Sequence, residues 1–148
     1  MKRFVWRLQR VLDVKTKEEK MRKSELIAVT ERLAQTRGEL LDLKRTLDDI
    51  ISNLAYTNPR RRLAEQEFFI KHSVTTDRRI KEVEGQIAGL ELEREAKTAK
   101  LMEVRQFREG LDRLRAEAKA KFVEEQEKAE QKELNEIATV RFARAHGT

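Results

Sequence analysis

The sequence predicts an all-α fold, a long two-helix antiparallel coiled-coil hairpin whose second helix is longer and carries an unpaired C-terminal overhang. Three observations predict it. Leucines recur at heptad spacing at Leu26, Leu33, Leu40, Leu47 and Leu54, with Val29, Leu43 and Ile50 three residues after three of them and Thr36 as the exception. That alternation of three and four residues returns to one stripe on an underwound helix, and a stripe so narrow needs a partner helix. Charged residues make up 41% of the 148 residues and aromatics 5%, which leaves too little bulky apolar material for a multilayered core; sustained heptads favour a long helix over disorder. The third observation is one proline, Pro59, between two long apolar stripes.

The first helix is expected over about residues 4–57. Val5 and Leu12 extend the heptad ladder backwards, Leu8 supports the same face, and Trp6 falls off it. Between Lys15 and Arg22 the seam turns polar, with Lys15, Glu19 and Arg22 at heptad positions. Gly38 lies mid-helix, where it costs roughly 1 kcal/mol relative to Ala. The turn is expected at about 57–59. Asn58 suits an N-cap and Pro59 the first helical position, so the second helix starts there and runs to about Arg144.

Its seam reads Leu63, Ile70, Val74, Ile80, Val83, Ile87, Leu90, Leu101, Val104 and Leu111. Folding the hairpin at Asn58 sets Leu54 against Leu63, Leu47 against Ile70, Leu33 against Val83 and Leu12 against Val104. It also sets Glu19 against Lys97, a layer that fixes register at some cost in stability, and Arg22 against Arg94, which loosens that zone. Gly85 and Gly89 share a face and weaken the helix locally. The first helix runs out at about Asp112, leaving about 30 residues of the second without a partner, or about 45 Å of helix. Ala116 to Lys132 reads as a solvated single helix, and Leu134, Ile137, Ala138, Arg141 and Phe142 form an apolar stripe that seeks a partner. The whole chain, 1–148, is read as a single coiled-coil domain.

Composition and motifs exclude most chemistry. The chain has no cysteine and two histidines, His72 and His146, so thiol, disulfide and metal chemistry have little to work with. A two-helix hairpin offers no pocket for converging catalytic groups, and pairs such as Glu124/Glu125 and Asp48/Asp49 read as solvated charges. No enzymatic activity, cofactor or metal is expected. No apolar run approaches the ~20 residues of a membrane span, and the basic start is not a signal peptide. Lys and Arg exceed Asp and Glu by 33 to 27, but the signs are interspersed as on a solvated helix.

One basic cluster stands out. Arg60, Arg61 and Arg62 sit in the first turn of a helix, where positive charge opposes the macrodipole. Tyr56, Phe68 and Phe69 lie nearby, and two adjacent Phe cannot both enter one narrow seam, so one is exposed. Arg and aromatic residues are common protein-interface anchors; without a regular stacking platform, nucleic acid is not expected.

The ends carry a resemblance. Phe4, Leu8, Gln9, Val11, Leu12 and Asp13 match the F-x-L-Q-x-V-L-D start of the flagellar export protein FliJ family. Glu130 to Ala138 resembles that family's E-Q-K-x-L-D-E-x-A ending, with Asn135 where Asp is usual. The resemblance implies a cytoplasmic component of the flagellar type III protein export apparatus, peripherally associated with the inner membrane. It implies an antiparallel coiled coil similar to the central stalk of rotary ATP synthases. Such a stalk binds the hexameric export ATPase, promotes its assembly and activity, and contacts the cytoplasmic part of the transmembrane export gate and export chaperones. By analogy with the stalk, Phe4, Leu8, Leu12, Leu134, Ile137 and Phe142 are expected in the ATPase ring, and Leu43, Ile50 and Phe69 toward the gate. The alternatives are the equivalent stalk of a virulence injectisome, a generic coiled-coil scaffold and, third, a nucleic-acid binder.

Overall fold

A computed structural model describes residues 2–55 and 62–147. Two long helices pack against each other as a helical hairpin, and no strand occurs among the described residues. Helix α1 spans Gln9–Ala55 and helix α2 spans Arg62–His146. The expected turn at 57–59, the cap at Asn58 with Pro59, and Tyr56, Arg60 and Arg61 lie outside the described residues. The chain divides into two compact units, one of residues 20–102 and one of residues 1–19 with 103–148.

In the 20–102 unit, buried and half-buried positions step by three and four along α1 to Leu54 and along α2 from Gln66 onward. Leu33 and Val83 are fully enclosed, with Val29, Ile50, Ile80, Leu90 and Leu101 buried around the same seam. Thr76 is the one buried polar residue among those described. Its hydroxyl donates to the His72 carbonyl at 2.9 Å, so this hydroxyl is not stranded. Cross-helix ion pairs flank the seam, Arg37 with Glu91 at 2.9 Å and Arg79 with Glu39 at 2.7 Å. They join the later half of α1 to the early part of α2, as antiparallel packing requires.

The heptads keep their phase through the start of α2, and this corrects the expected seam. Leu63, Ile70 and Val74 are exposed, while Phe69, Ser73 and Thr76 take the inward positions. The register also slides. Ile50 and Leu54 share a groove with Phe69 and Ser73, so Leu54 faces residues about one heptad beyond Leu63. Lys97 likewise bonds Glu25 rather than Glu19. A heptad pattern fits itself equally well after a slip of seven residues, and only a non-repeating contact chooses between the two. The same slip moves Arg22 away from the level of Arg94 to that of Leu101.

The second unit has the same antiparallel sense. Leu12, Val104 and Leu111 are buried, and Gln9 Oε1 accepts from Arg115 Nε at 2.7 Å. Helix α1 begins at Gln9, not at Phe4. Residues 2–6 are non-helical, and the Gln9 amide donates to the Trp6 carbonyl at 3.1 Å. The segment Lys2–Leu8 offers no Ser, Thr, Asp or Asn to cap an earlier start, and its Arg side chains oppose the helix dipole. Leaving the helix lets the Phe4 ring reach Phe122 at 5.4 Å, with the Arg115 guanidinium over it at 5.6 Å. Val5, expected in the ladder, is consequently 82% exposed. Beyond Phe122 almost every side chain of α2 is exposed. The helix runs two residues past Arg144, and Arg144 and His146 in its last turn complement the dipole.

Candidate functional site

A helix end without a packing partner is where this fold has apolar surface left to use. Within the unit of residues 1–19 and 103–148, α2 continues past its last aromatic seam contact, Phe122, to His146. Leu134, Ile137, Val140 and Phe142 are between 45% and 65% exposed there. At 1.5 Å per residue, this bare stretch presents about 35 Å of helix. The Phe142 ring packs on His146 at 4.3 Å, which leaves most of its surface open.

The six residues expected at this end divide into two sets. Leu134, Ile137 and Phe142 are open to a partner. Phe4, Leu8 and Leu12 are not equally open: Leu12 is buried, and Phe4 and Leu8 are half-buried in the unit's own packing. Phe122, which holds Phe4, falls in the stretch read from sequence as a solvated single helix. The signal for it existed. Leu111, Arg115, Ala118 and Phe122 continue the steps of four, three and four.

Glu19 organises the charged part of the same unit. Its carboxylate accepts from Arg105 Nε at 3.1 Å and also from Arg108; Arg108 in turn binds Asp112 at 2.6 Å. The Arg108 hydrogen bond is the main reason the Glu19 carboxyl titrates below its ordinary value, with Arg105 adding to it against partial burial. Arg108 is raised for the reciprocal reason, through Glu19 first and Asp112 second. Lys15 supports the layer by lying over the Phe107 ring at 5.0 Å while bonding Glu18 at 3.0 Å. In the other unit, Lys97 and Arg22 both reach Glu25 at 3.3 Å. The Lys97 bond is the larger cause of the lowered Glu25 titration.

The residues expected toward the gate lie in the 20–102 unit. Ile50 is buried, and Leu43 and Phe69 are half-buried. The open apolar surface there belongs instead to Ile51, Leu63, Phe68 and Ile70, each at least 58% exposed. Phe68 and Phe69 do split as sequence reasoning required, Phe68 outward and Phe69 toward the seam, in an edge-to-face pair at 5.9 Å. Of the basic cluster, Arg62 opens α2, while Arg60 and Arg61 lie outside the described residues.

A family model described as Flagellar FliJ protein matches residues 3–147. The chain belongs to the FliJ family. The comparisons with curated proteins and with solved structures found no match. FliJ proteins are components of the flagellar export apparatus, and both segments that carry the FliJ resemblance, Phe4–Asp13 and Glu130–Ala138, fall in one compact unit. Lys2 and Glu130 even line a common groove with Phe122 and Val123. Among the described residues, no helix is long and apolar enough to cross a membrane, and no group of three or more His, Asp or Glu is placed to hold a metal ion.

Proposed function

We propose that this chain acts in flagellar type III export as a stalk-like subunit. It binds the hexameric export ATPase, promotes its assembly and activity, and links it to the cytoplasmic part of the export gate and to export chaperones from the cytoplasmic side of the inner membrane. The observation that carries the reading is the unpaired end of α2, with exposed Leu134, Ile137 and Phe142 in the compact unit that also holds the N-terminal segment. A helical end whose apolar face has no partner of its own suits insertion into a ring. The N-terminal residues contribute through Phe4, which is held against α2 by Phe122 and Arg115.

The test is to titrate the chain into the export ATPase of its own organism and follow ATP hydrolysis. Stimulation by the wild type is expected. Leu134→Asp with Ile137→Asp is expected to abolish stimulation while leaving the melting temperature unchanged, because both side chains are exposed and exposed substitutions move stability by only about 0.5 kcal/mol. Stimulation that survives this double variant but is lost on changing Ile51 and Phe68 would place the ATPase at the other unit. No binding at all, with both proteins folded, would end the stalk reading.

A further inference from the structure

One face of the bare α2 end is its own complement. Glu133, Ile137, Val140 and Arg144 follow one another at steps of four, three and four, and Glu136 and Arg141 flank the same groove. Ile137 and Val140 are 45% and 50% exposed. None of the four charged residues has an ion-pair partner among the described residues. Neither arginine stands at the three- or four-residue spacing from Glu133 or Glu136 that lets side chains meet on one helix. They are ordered in a particular way along the stripe: acidic, apolar, apolar, basic, symmetric about a point between Ala138 and Thr139.

We infer that this face pairs with the same face of a second copy of the chain, antiparallel and about a two-fold axis at that point. The axis sets Ile137 against Val140 of the second copy and Glu133 against Arg144, while Glu136 and Arg141, on opposite flanks of the face, do not meet across it. Two-fold symmetry doubles each contact, which gives two opposite-charge pairs outside two apolar layers, the self-complementarity of an isologous interface. A parallel pairing in register brings Glu136 beside Arg141 on the flank but stacks Glu133 on Glu133 and Arg144 on Arg144 within the seam, and so is disfavoured by the seam charges. A partner of uniform charge satisfies only half of the face. The contact spans few helical turns and falls short of the ~1,600 Å² of a standard interface, so the dimer is weak and forms at high micromolar concentration. The face exists whatever partner the export reading assigns to this end.

Sedimentation equilibrium on the full chain, up to roughly 500 µM because the interface is small, tests the pairing. The expected result is a monomer–dimer equilibrium that weakens severalfold as salt screens the exposed pairs. Glu133→Arg in one variant, and Arg144→Glu in another, should each weaken self-association severalfold, since both attractive pairs become repulsive. An equimolar mixture of the two variants should restore dimerisation, which misfolding of either could not produce. A chain that stays monomeric throughout overturns the inference, and so does a dimer that strengthens with salt. Self-association unchanged in both variants, or a mixture that stays monomeric, overturns it equally.

Discussion

Glu19 occupies a seam position that a leucine would ordinarily fill, and its surroundings explain how it stays charged there. Its side chain is 16% exposed and is held by two guanidiniums, Arg105 and Arg108. Because the folded carboxyl titrates below its ordinary value near 4.5, its contribution is complete above that value and is lost as pH falls through the lowered folded value. Glu25 has the same sign, through Lys97 first. The melting temperature should therefore be level from neutral pH down to about 5 and fall at more acid pH. Glu19→Gln should cost about 1–2 kcal/mol at neutral pH, the loss of charge-assisted hydrogen bonds, and should flatten part of the acid slope; an unaltered slope would remove Glu19 from its origin. Arg22 is the opposite case. It spends a seam position on one 3.3 Å bond to Glu25, and its Nε is buried without a hydrogen-bond partner. Glu25 keeps Lys97 if Arg22 is lost, and the new side chain stands at the level of an apolar layer. Arg22→Leu should therefore raise stability by about 1 kcal/mol, read as a higher denaturation midpoint. A lower midpoint would mean that the guanidinium is better solvated than its burial implies.

At the scale of the helices, the three-and-four alternation made the hairpin legible, while the pairing of its layers was not. Leucines from Leu26 to Leu54 fix which face of α1 is inward, and the structure keeps that face. Near the start of α2, Phe69 and Ile70 are both apolar, and Val74 next to Ser73 is apolar too, so composition permits either of two adjacent stripes. The structure chooses the one in unbroken phase with Ile80 and Val83, at the expense of exposing Ile70 and Val74. Register was hidden for a deeper reason, since a strict repeat carries no mark that distinguishes one heptad from the next. The N-terminal departure from helix left fainter traces than the heptad ladder: Lys2–Leu8 has no capping residue, and Phe122, which receives Phe4, continues the seam's steps of four, three and four. The register has a direct test because the chain contains no cysteine. Leu54→Cys with Phe69→Cys, whose parent side chains line one groove, should form a disulfide under mild oxidation. Leu54→Cys with Leu63→Cys should not, since bridging requires Cα atoms within about 7 Å. The reverse result would restore the register closed at Asn58.

For the molecule as a whole, stability should be graded, because packing is. Native-state hydrogen exchange reports how readily each stretch opens, and it follows local packing more closely than helix content. Amides around Val29–Leu33 and Ile80–Leu90 surround the fully enclosed Leu33 and Val83 and should exchange last. Amides around Leu12 and Leu111 have buried side chains and the Glu19 layer beside them, and should follow. Amides from about 123 to 146 share the same helical hydrogen bonding but have almost no buried side chain, so they should exchange first, with a protection set mainly by helix propensity. The decisive variable is protein concentration. At low micromolar concentration the bare end should be the least protected helical stretch. At several hundred micromolar, residues 133–144 should gain protection while the seam amides stay unchanged, because a weak two-fold pairing adds stability only where it adds contacts. The export ATPase, if it receives this end, should protect the same amides at low concentration of the chain. Uniform protection from Gln9 to His146 at low concentration would contradict both readings, since it would mean that the end is stable with nothing packed against it.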